Sequence, residues 1–221
     1  MARVLPMADV SARQSAARLL SAGRIVAFPT DTVYGLGALP TPATVRALYV
    51  VKGRPTTKPI PLLLANADEL ERYAPNTGEL VRGLVDEYWP GPLTIVLHAI
   101  SEIAIAVGSP DGTVGFRVPA HSALRSLISL CGGALAVTSA NRSGEPEARS
   151  ATDAQREIGG LVPMVLDGGE SDVAWPSTVI AVRRNEVVIL RDGAVGAEVR
   201  AFASARGMAV RSTTTVEVSR R

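Results

Sequence analysis

The sequence is poor in the residues from which metal clusters, disulfide frameworks and base-stacking surfaces are built. Its 221 residues include one cysteine, two histidines and only 4% aromatic residues. The single thiol, Cys131, cannot form an internal disulfide, and two separated histidines beside it exclude a Cys/His zinc cluster. Cys131 lies in an apolar run and is interpreted as a core thiol, as in proteins of a reducing cytoplasm. We therefore expect a cytoplasmic protein with no metal site built from its own side chains.

Net charge and long apolar stretches are scarce as well. The 23 Lys and Arg residues are nearly balanced by 21 Asp and Glu residues, and a net charge of +2 says little about nucleic-acid binding. The longest uncharged run, Ser126 to Asn141, is too short for a membrane span and contains two adjacent glycines. The segment MARVLPMADV lacks the apolar stretch of a secretory signal. No membrane association is expected.

The order of the apolar patterns predicts the fold class. Runs typical of buried strands alternate with amphipathic patterns typical of helices. The predicted helices are Val10–Ala22, Pro42–Val51, Ala67–Tyr73, Thr77–Tyr88, His121–Leu130 and Ala151–Ile158. The predicted strands are Arg24–Phe28, Pro61–Ala65, Leu93–His98, Thr113–Val118, Ala134–Thr138, Val162–Leu166, Thr178–Val182 and Val187–Leu190. This alternation predicts an α/β fold with a twisted, mixed open sheet flanked by helices.

The sequence also suggests domain limits. A chain of this length with 47% hydrophobic residues can bury a large core as one domain. Apolar content falls after about Gly207, where Ser, Thr and Arg take over. We therefore predict a catalytic domain over residues 8–206, and a tail or loosely attached edge strand over residues 207–221.

Hydroxyl-bearing residues follow two of the predicted strands, where ligands of open α/β sheets usually bind. The segment Pro29–Gly37 follows the first strand and carries Thr32, although a capped turn explains it as well. The segment Thr138–Gly144 carries Ser139 and Asn141, and successive amides in such a turn form an anion nest, with a purely structural turn as the alternative. Both segments are candidate parts of a ligand site.

Cationic residues mark further candidate positions. Lys52, Arg54 and Lys58 surround a rigid proline loop, which suits a polyphosphate clamp. Cations at the end of a helix are also favoured by the helix dipole, so a structural explanation stands beside the functional one. Arg117 ends a predicted strand, where it is either a surface cap or a bidentate carboxylate ligand. Ser177 before a strand and Arg191 at the end of another are weak signals when each is taken separately.

Taken together, six motifs carry a resemblance to a known family. They are PTDTVYGLG, KGRP-x-x-KP, WPGPLT, FRVP, TSANRSG and PSTV…LRDG. Their order and spacing resemble the YrdC/Sua5 family of threonylcarbamoyl-AMP synthases over roughly Ala8 to Gly193. The resemblance implies a YrdC-like sheet with a concave, positively charged cavity, in the short single-domain form of the family.

The resemblance also implies an activity. Family members condense L-threonine, bicarbonate and ATP into L-threonylcarbamoyladenylate and release pyrophosphate, and Mg²⁺ is expected to accompany the ATP. The product feeds the N6-threonylcarbamoyl modification of tRNA, so the downstream tRNA threonylcarbamoyl transferase machinery is an expected partner, with contact to tRNA or double-stranded RNA as a further expectation.

Carried over onto this chain, the family motifs imply roles for individual residues. Lys52 and Arg54 would be the catalytic residues. The expected ATP-binding residues are Arg54, Lys58, Thr113, Asn141, Ser150 and Arg191. The expected threonine-binding residues are Thr32, Arg117, Ser139 and Ser177. Some members carry a histidine near the threonine site where this chain has Leu63, so threonine must be held differently there.

Two other functions remain open from the sequence. The first is an RNA-binding module that uses the basic loops without catalysis, although no array of base-stacking aromatics accompanies them. The second is a related enzyme that transfers an activated carbamoyl group to a different acceptor. Such relatives resemble this chain in the ATP-side motifs and usually sit within larger multidomain proteins.

Overall fold

A computed structural model describes residues 1–53, 59–171, 175–183 and 186–213 of the chain. Its α-helices are α1 (Val10–Ser21), α2 (Pro42–Lys52), α3 (Leu70–Tyr73), α4 (Glu79–Tyr88), α5 (Ser101–Ala106), α6 (Ser122–Leu130), α7 (Ala151–Ile158) and α8 (Gly196–Ser204). Its strands are β1 (Arg3–Pro6), β2 (Val26–Phe28), β3 (Gly35–Ala38), β4 (Leu62–Leu64), β5 (Leu93–His98), β6 (Thr113–Arg117), β7 (Ala134–Ser139), β8 (Met164–Asp167), β9 (Thr178–Arg183), β10 (Glu186–Arg191) and β11 (Ala209–Ser212). No helix within the described ranges is long and apolar enough to cross a membrane.

The strands in the described part of the chain form one sheet in the order β1-β8-β2-β3-β7-β4-β6-β5-β9-β10-β11. Parallel pairs join β1 to β8, β8 to β2, β4 to β6, β5 to β9, and β10 to β11. The other neighbouring pairs are antiparallel, including the β9–β10 hairpin. The prediction of a mixed open sheet flanked by helices is confirmed.

Successive residues of each strand point to opposite faces of the sheet, and each face carries its own hydrophobic core. In β2, Ala27 packs in the larger cluster while Val26 and Phe28 pack in the smaller one. The smaller cluster is covered by α1 and α6, which pack against β2, β8, β4 and β7. The larger cluster contains residues of α2, α4, α7 and α8 on the other face.

Side-chain caps explain where several helices begin. Asp9 accepts a hydrogen bond from the Ser11 amide at 2.8 Å at the start of α1. Thr41 forms a capping box with Thr44, and Pro42 occupies the first turn of α2, as its sequence predicted. Gly53 closes α2 with a positive φ of 62°, a backbone conformation that favours glycine.

Four elements of the structure were not predicted from the sequence: β1, β3, α5 and α8. A fifth, β11, lies in the segment that was predicted as a tail or a loosely attached edge strand. The short β3 was missed because Gly35 and Gly37 have low strand propensity, and α5 is shorter than two helical turns. Strand β1 lies before the predicted domain start, and β11 lies within the predicted tail, yet both pair in the sheet. The domain limits 8–206 thus stay a prediction, with the sheet extending beyond them on both sides. Helix α8 also went unpredicted.

Cys131, which was interpreted as a core thiol, is half-buried at the end of α6 and packs against the smaller cluster. Burial raises the pKa of its thiol to about 11. The thiol is therefore protonated at neutral pH, which makes it a poor nucleophile.

Gly37 allows β3 to pass directly under an aromatic ring. A Cβ atom at this position would overlap the ring of Phe28, which is fully buried and cannot swing out into solvent. We predict that Gly37→Ala lowers the free energy of unfolding by about 2 kcal/mol, because overpacking forces the ring or the strand to move. Chemical denaturation followed by circular dichroism measures this loss.

The matched control is Gly160→Ala, because a Cβ there meets no heavy atom within 4 Å. Its stability should stay within about 0.5 kcal/mol of the parent protein, as for other surface changes. Equal effects of the two substitutions would contradict the packing explanation.

Candidate functional site

A cleft of about 520 Å³ opens on the sheet face formed by β6, β5 and β9. In these strands, alternate residues such as Phe116 and Ile180 are buried in the larger core cluster. The residues between them therefore face the opposite side, and α1 and α6 pack over the other half of the sheet rather than over these strands. The sequence predicted a site at strand ends, and in the structure residues within the strands also line the cleft.

The cleft combines an apolar wall with hydroxyl and charged groups. Its polar lining consists of Thr30, Thr32, Thr94, Asp111, Thr113, Arg117, Thr138, Ser139, Glu147, Ser177 and Arg191. Its apolar lining includes Val33, Pro61, Leu63, Val96, Val137 and Val179. A volume of this size and a mixed lining are typical of sites for small molecules. Six residues predicted for the site meet here: Thr32, Thr113, Arg117, Ser139, Ser177 and Arg191.

Arg117 is buried at the end of β6, with 6% of its surface exposed. Its Nε donates to the Gly91 carbonyl at 3.0 Å and its Nη1 donates to Thr32 Oγ1 at 3.3 Å. Its Nη2 forms an ion pair of 2.5 Å with Asp31. These contacts use three of the five guanidinium N–H groups and hold the planar group in one orientation. The remaining N–H groups suit a carboxylate bound in the cleft.

The hydroxyl of Thr30 is fully used by the backbone of its own turn. Thr30 Oγ1 donates to the Val33 carbonyl at 2.7 Å and accepts from the Thr32 and Val33 amides at 3.1 and 3.2 Å. Its 3.0 Å contact with Thr32 Oγ1 therefore does not fix the direction of the Thr32 proton. Thr32 Oγ1 accepts from Arg117 Nη1 at 3.3 Å, so its other lone pair and its proton can both serve a ligand.

Lys52 lies behind the cleft rather than among its lining residues. It is 4% exposed, and its Nζ donates to the Ser139 carbonyl at 2.8 Å and to Ser139 Oγ at 3.0 Å. The same Nζ lies 2.5 Å from Asn141 Oδ1, while Asn141 Nδ2 donates to the Glu145 carbonyl. These contacts shape the loop after β7. Because Ser139 Oγ accepts from Lys52, the Ser139 proton is available to an acceptor in the cleft.

Ser177 joins the two ends of the predicted site. Arg191 Nε donates to the Ser177 carbonyl and Arg191 Nη2 donates to Ser177 Oγ, each at 2.9 Å. Thr94 Oγ1 lies 2.9 Å from the same Ser177 Oγ. A residue predicted for the nucleotide thus contacts one predicted for the amino acid, which places the two predicted subsites side by side.

Thr113 forms part of a hydroxyl-rich turn at the cleft rim. Asp111 Oδ1 accepts from the Thr113 amide at 3.0 Å, from Thr113 Oγ1 at 2.8 Å and from Ser109 Oγ at 3.0 Å. The hydrogen bond from the Thr113 amide, and after it those from the Thr113 and Ser109 hydroxyls, lower the pKa of the Asp111 carboxyl. The Thr113 hydroxyl donates its proton to Asp111, so its oxygen can accept a hydrogen bond from a donor group of a ligand.

Ser150 and Asn141, which were also predicted for the site, lie outside the cleft lining. Ser150 caps α7 by accepting from the Asp153 amide at 3.0 Å. Arg54 and Lys58 lie outside the described residues. Pro59, which follows them, lines the cleft.

Tyr34 and His121 support the loops around the cleft. Tyr34 Oη donates to the Gly169 carbonyl at 2.7 Å, which ties the loop after β2 to the loop after β8. Burial raises the pKa of the Tyr34 phenol to about 12, so it stays protonated. His121 Nδ1 accepts from the Leu124 amide at the start of α6, and burial lowers the pKa of its imidazole.

Two contributors to the site escaped the sequence analysis. Asp31 lies in the segment Pro29–Gly37 and was assigned no role there, whereas its partner Arg117 is 86 residues away in the sequence. Thr94 belongs to the motif WPGPLT, to which no residue role was assigned. Its only signal was a hydroxyl at the first positions of an otherwise apolar strand.

The donor set favours binding by hydrogen bonds and arginine over metal ligation. In the described part of the chain, no group of three or more His, Cys, Asp or Glu side chains is placed to hold a metal ion. The described charged lining consists of Asp111, Glu147, Arg117 and Arg191. The positive sign predicted for the cavity therefore depends on the segment of residues 54–58 and stays a prediction.

Comparisons with known proteins find relatives over most of the chain. A family model described as Sua5/YciO/YrdC, telomere recombination, matches residues 18–193. The chain is 36% identical over 184 residues to the threonylcarbamoyl-AMP synthase of Pyrococcus abyssi, covering 83% of this chain and 54% of that protein. It is also 36% identical over 182 residues to a putative threonylcarbamoyl-AMP synthase of Mycobacterium leprae, covering 82% of both proteins.

A solved structure is similar over most of the fold. The crystal structure of P. abyssi Sua5 complexed with L-threonine superposes with a TM-score of 0.84 at 34% identity, covering 90% of this chain and 58% of that one. The chain thus spans about half the length of the P. abyssi protein.

The Arg117–Asp31 pair is a buried contact whose loss should be measurable. We predict that Asp31→Ala lowers the free energy of unfolding by about 3 kcal/mol, because it leaves the Arg117 charge buried without a counter-ion. Asp31→Asn should cost less, since its amide oxygen still accepts a hydrogen bond. Equilibrium unfolding in guanidinium chloride provides the measurement.

An exposed ion pair serves as the control. Asp192 pairs with Arg200 at 2.8 Å, and both side chains are more than a third exposed. Asp192→Ala should change the unfolding free energy by less than about 1 kcal/mol. If Asp31→Ala lowers the unfolding free energy no more than Asp192→Ala does, the buried Arg117–Asp31 pair does not stabilise the fold as predicted.

Proposed function

The chain belongs to the Sua5/YciO/YrdC family, and from this membership we propose that it condenses L-threonine, bicarbonate and ATP into L-threonylcarbamoyladenylate and pyrophosphate. The observation that carries the proposal is the contact between Arg191 and Ser177 in one cleft with Arg117. Through this contact Arg191, a cation that suits a phosphate, lies beside Ser177, in the cleft where Arg117 suits the carboxylate of an amino acid. The family resemblance alone would not require that these side chains meet.

The amino-acid end of the cleft offers complementary groups. Arg117 is held so that its remaining N–H groups can pair with an α-carboxylate. The Thr32 hydroxyl hydrogen-bonds the amine or hydroxyl of the substrate, and Ser139 donates to one of its oxygens. A site that hydrogen-bonds the substrate hydroxyl rejects valine by about 10⁴-fold, whereas an apolar pocket of equal shape would not. The wall formed by Leu63 and Val137 suits the methyl group of threonine.

The nucleotide end is proposed to run from Arg191 and Thr113 toward Pro59, which follows the segment that contains Arg54 and Lys58. Thr113 accepts from a ligand donor such as a ribose hydroxyl, because its own proton is used on Asp111. The residue roles of Arg54 and Lys58 rest on the resemblance. Lys52 and Asn141 would act by shaping the loop after β7, which carries Ser139.

The reaction brings anions together. The threonine amine, after losing a proton to solvent, adds to carbon dioxide with loss of a second proton, or to bicarbonate with loss of water, and forms a carbamate. An oxygen of the carbamate then attacks the α-phosphorus of ATP while pyrophosphate leaves. Two unit charges about 4 Å apart repel by about 1 kcal/mol in water and by several times more in a partly dry cleft. Arginine and lysine side chains offset this repulsion and position the groups, as in other phosphoryl transfers. No side chain of the described lining stands out as the base, and we assign none.

Mg²⁺ is expected to enter with the nucleotide. The described residues contain no cluster of metal ligands, and phosphate oxygens with water commonly satisfy this ion. Any contribution from the carboxylates of Asp111 or Glu147 would be to the hydration shell of the ion. When bound, Mg²⁺ neutralises phosphate charge.

We also place the product in a sequence of reactions. A threonylcarbamoyl adenylate is a mixed anhydride, so a transferase that passes its threonylcarbamoyl group to tRNA must consume it. Direct contact with tRNA and a cytoplasmic location are part of this proposal. The catalytic unit is proposed to comprise residues 8–206 together with the two edge strands.

The test is to incubate the purified protein with ATP, bicarbonate, Mg²⁺ and a panel of amino acids, and to detect the adenylate by mass. We expect a product from threonine, little from serine and none from valine. Pyrophosphate release without amino-acid dependence would favour a different carbamoyl-transferring enzyme. Salt-sensitive RNA binding with no turnover would favour the RNA-binding module.

A substitution in the cleft tests the assignment of the amino-acid end. Arg117→Lys keeps a positive charge but loses the planar fork, so we expect the KM for threonine to rise about ten-fold or more while the KM for ATP changes less than about two-fold. Initial rates of pyrophosphate release with each substrate varied in turn provide both constants. Equal effects on the two constants would contradict the carboxylate role of Arg117.

A further inference from the structure

The segment Trp89–Thr94 contains the motif WPGPLT, to which neither the sequence nor the proposed reaction has assigned a role. It forms a tight turn between α4 and β5 that is closed by a hydrogen bond of 2.7 Å from Trp89 Nε1 to the Leu93 carbonyl. Its Gly91 amide donates to the Val118 carbonyl at 2.8 Å, and its Pro92 carbonyl accepts from the Thr178 amide at 2.9 Å. The turn is therefore fastened to the end of β6 and to the start of β9.

The same segment contacts two side chains of the cleft. The Gly91 carbonyl accepts from Arg117 Nε at 3.0 Å. At the other end of the segment, Thr94 Oγ1 lies 2.9 Å from Ser177 Oγ. Thr94 is 5% exposed and belongs to the cleft lining. One turn thus holds both the guanidinium and the serine that are proposed to bind the amino acid.

The contact between the Thr94 and Ser177 hydroxyls can run in either direction, and that direction decides what Thr94 does. A serine hydroxyl has one proton and two lone pairs. Arg191 has no acceptor, so its bond of 2.9 Å to Ser177 Oγ occupies one of those lone pairs. Within the described residues, the hydroxyl of Thr94 makes its hydrogen bond to Ser177 and to no other side chain. With Thr94 as donor, both lone pairs of Ser177 are filled and its proton is directed into the cleft.

We propose that Thr94 is the donor in this contact and thereby a positioning residue, which directs the Ser177 proton toward an acceptor oxygen of the amino-acid substrate. Because Arg191 fills the other lone pair, the same arrangement links the nucleotide end of the cleft to the amino-acid end. This inference rests on the proposed function and adds a residue that the family motifs leave without a role. It commits Ser177 to an oxygen of the carboxylate or carbamate and excludes the substrate ammonium as its partner.

The test compares two substitutions at Thr94. Thr94→Val keeps the shape and removes the hydroxyl, whereas Thr94→Ser keeps the hydroxyl and removes a methyl group. We expect Thr94→Val to raise the KM for threonine about five-fold, the effect of one neutral hydrogen bond. Its kcat and its KM for ATP should change less than about two-fold, and Thr94→Ser should restore the KM for threonine.

A double-mutant cycle separates positioning from general packing. If Thr94 acts through Ser177, Thr94→Val has nothing left to disturb once Ser177→Ala is present. The double variant should therefore have the KM for threonine of Ser177→Ala alone. If Thr94→Val does not fold, Thr94→Ala takes its place, since it removes the same hydroxyl without adding a methyl group that could clash.

The control is a buried threonine in a different part of the fold. Thr44 has 8% of its surface exposed, and its hydroxyl closes the capping box of α2 with Thr41 and the Leu39 carbonyl. Thr44→Val should lower the melting temperature and leave the KM for threonine unchanged. This separates loss of stability from loss of substrate binding.

The outcomes are distinguishable. If the parent protein is active and the Thr94 variant without the hydroxyl keeps the parental KM for threonine, this inference is overturned and the proposed function stands. Multiplicative effects in the double variant, or failure of Thr94→Ser to restore the KM, would also overturn it. A parent protein that shows no threonine-dependent pyrophosphate release would overturn the proposed function and this inference with it.

Discussion

The arrangement of the site depends on the burial of one arginine. A guanidinium that is almost removed from solvent must be neutralised and hydrogen-bonded, because an unpaired buried charge would cost several kcal/mol. Asp31 supplies the charge, and the Gly91 carbonyl and the Thr32 hydroxyl supply further acceptors. Three segments that are distant in the sequence thereby meet around Arg117. The order of the cleft follows from satisfying this charge.

The position of the cleft follows from uneven coverage of the sheet. One face carries the larger core under α2, α4, α7 and α8, whereas α1 and α6 cover only part of the other face. The strands β6, β5 and β9 therefore bury alternate residues on one side and present the intervening ones to an open cleft. A rigid floor of strands holds side chains more reproducibly than loops do, which suits a reaction that depends on alignment.

Several polar residues of the cleft and its surroundings hold one another in place. Lys52 donates to Ser139 and Asn141, Arg117 donates to Thr32, and Arg191 and Thr94 both contact Ser177. Such a network orients these side chains before a substrate arrives. Pre-organisation of this kind lowers the cost of binding because fewer groups must be ordered at that moment.

The sequence by itself determined the α/β class, the limits of most helices and strands, and the motifs that meet in the cleft, because caps, glycine stops and apolar periodicity act within a few residues. Tertiary structure alone decided that Asp31 pairs with Arg117, that Lys52 lies behind Ser139 and that Thr94 contacts Ser177. These partners are 86, 87 and 83 residues apart along the chain. Neither propensity nor spacing encodes such pairs, since they arise only when strands from distant segments become neighbours in the sheet.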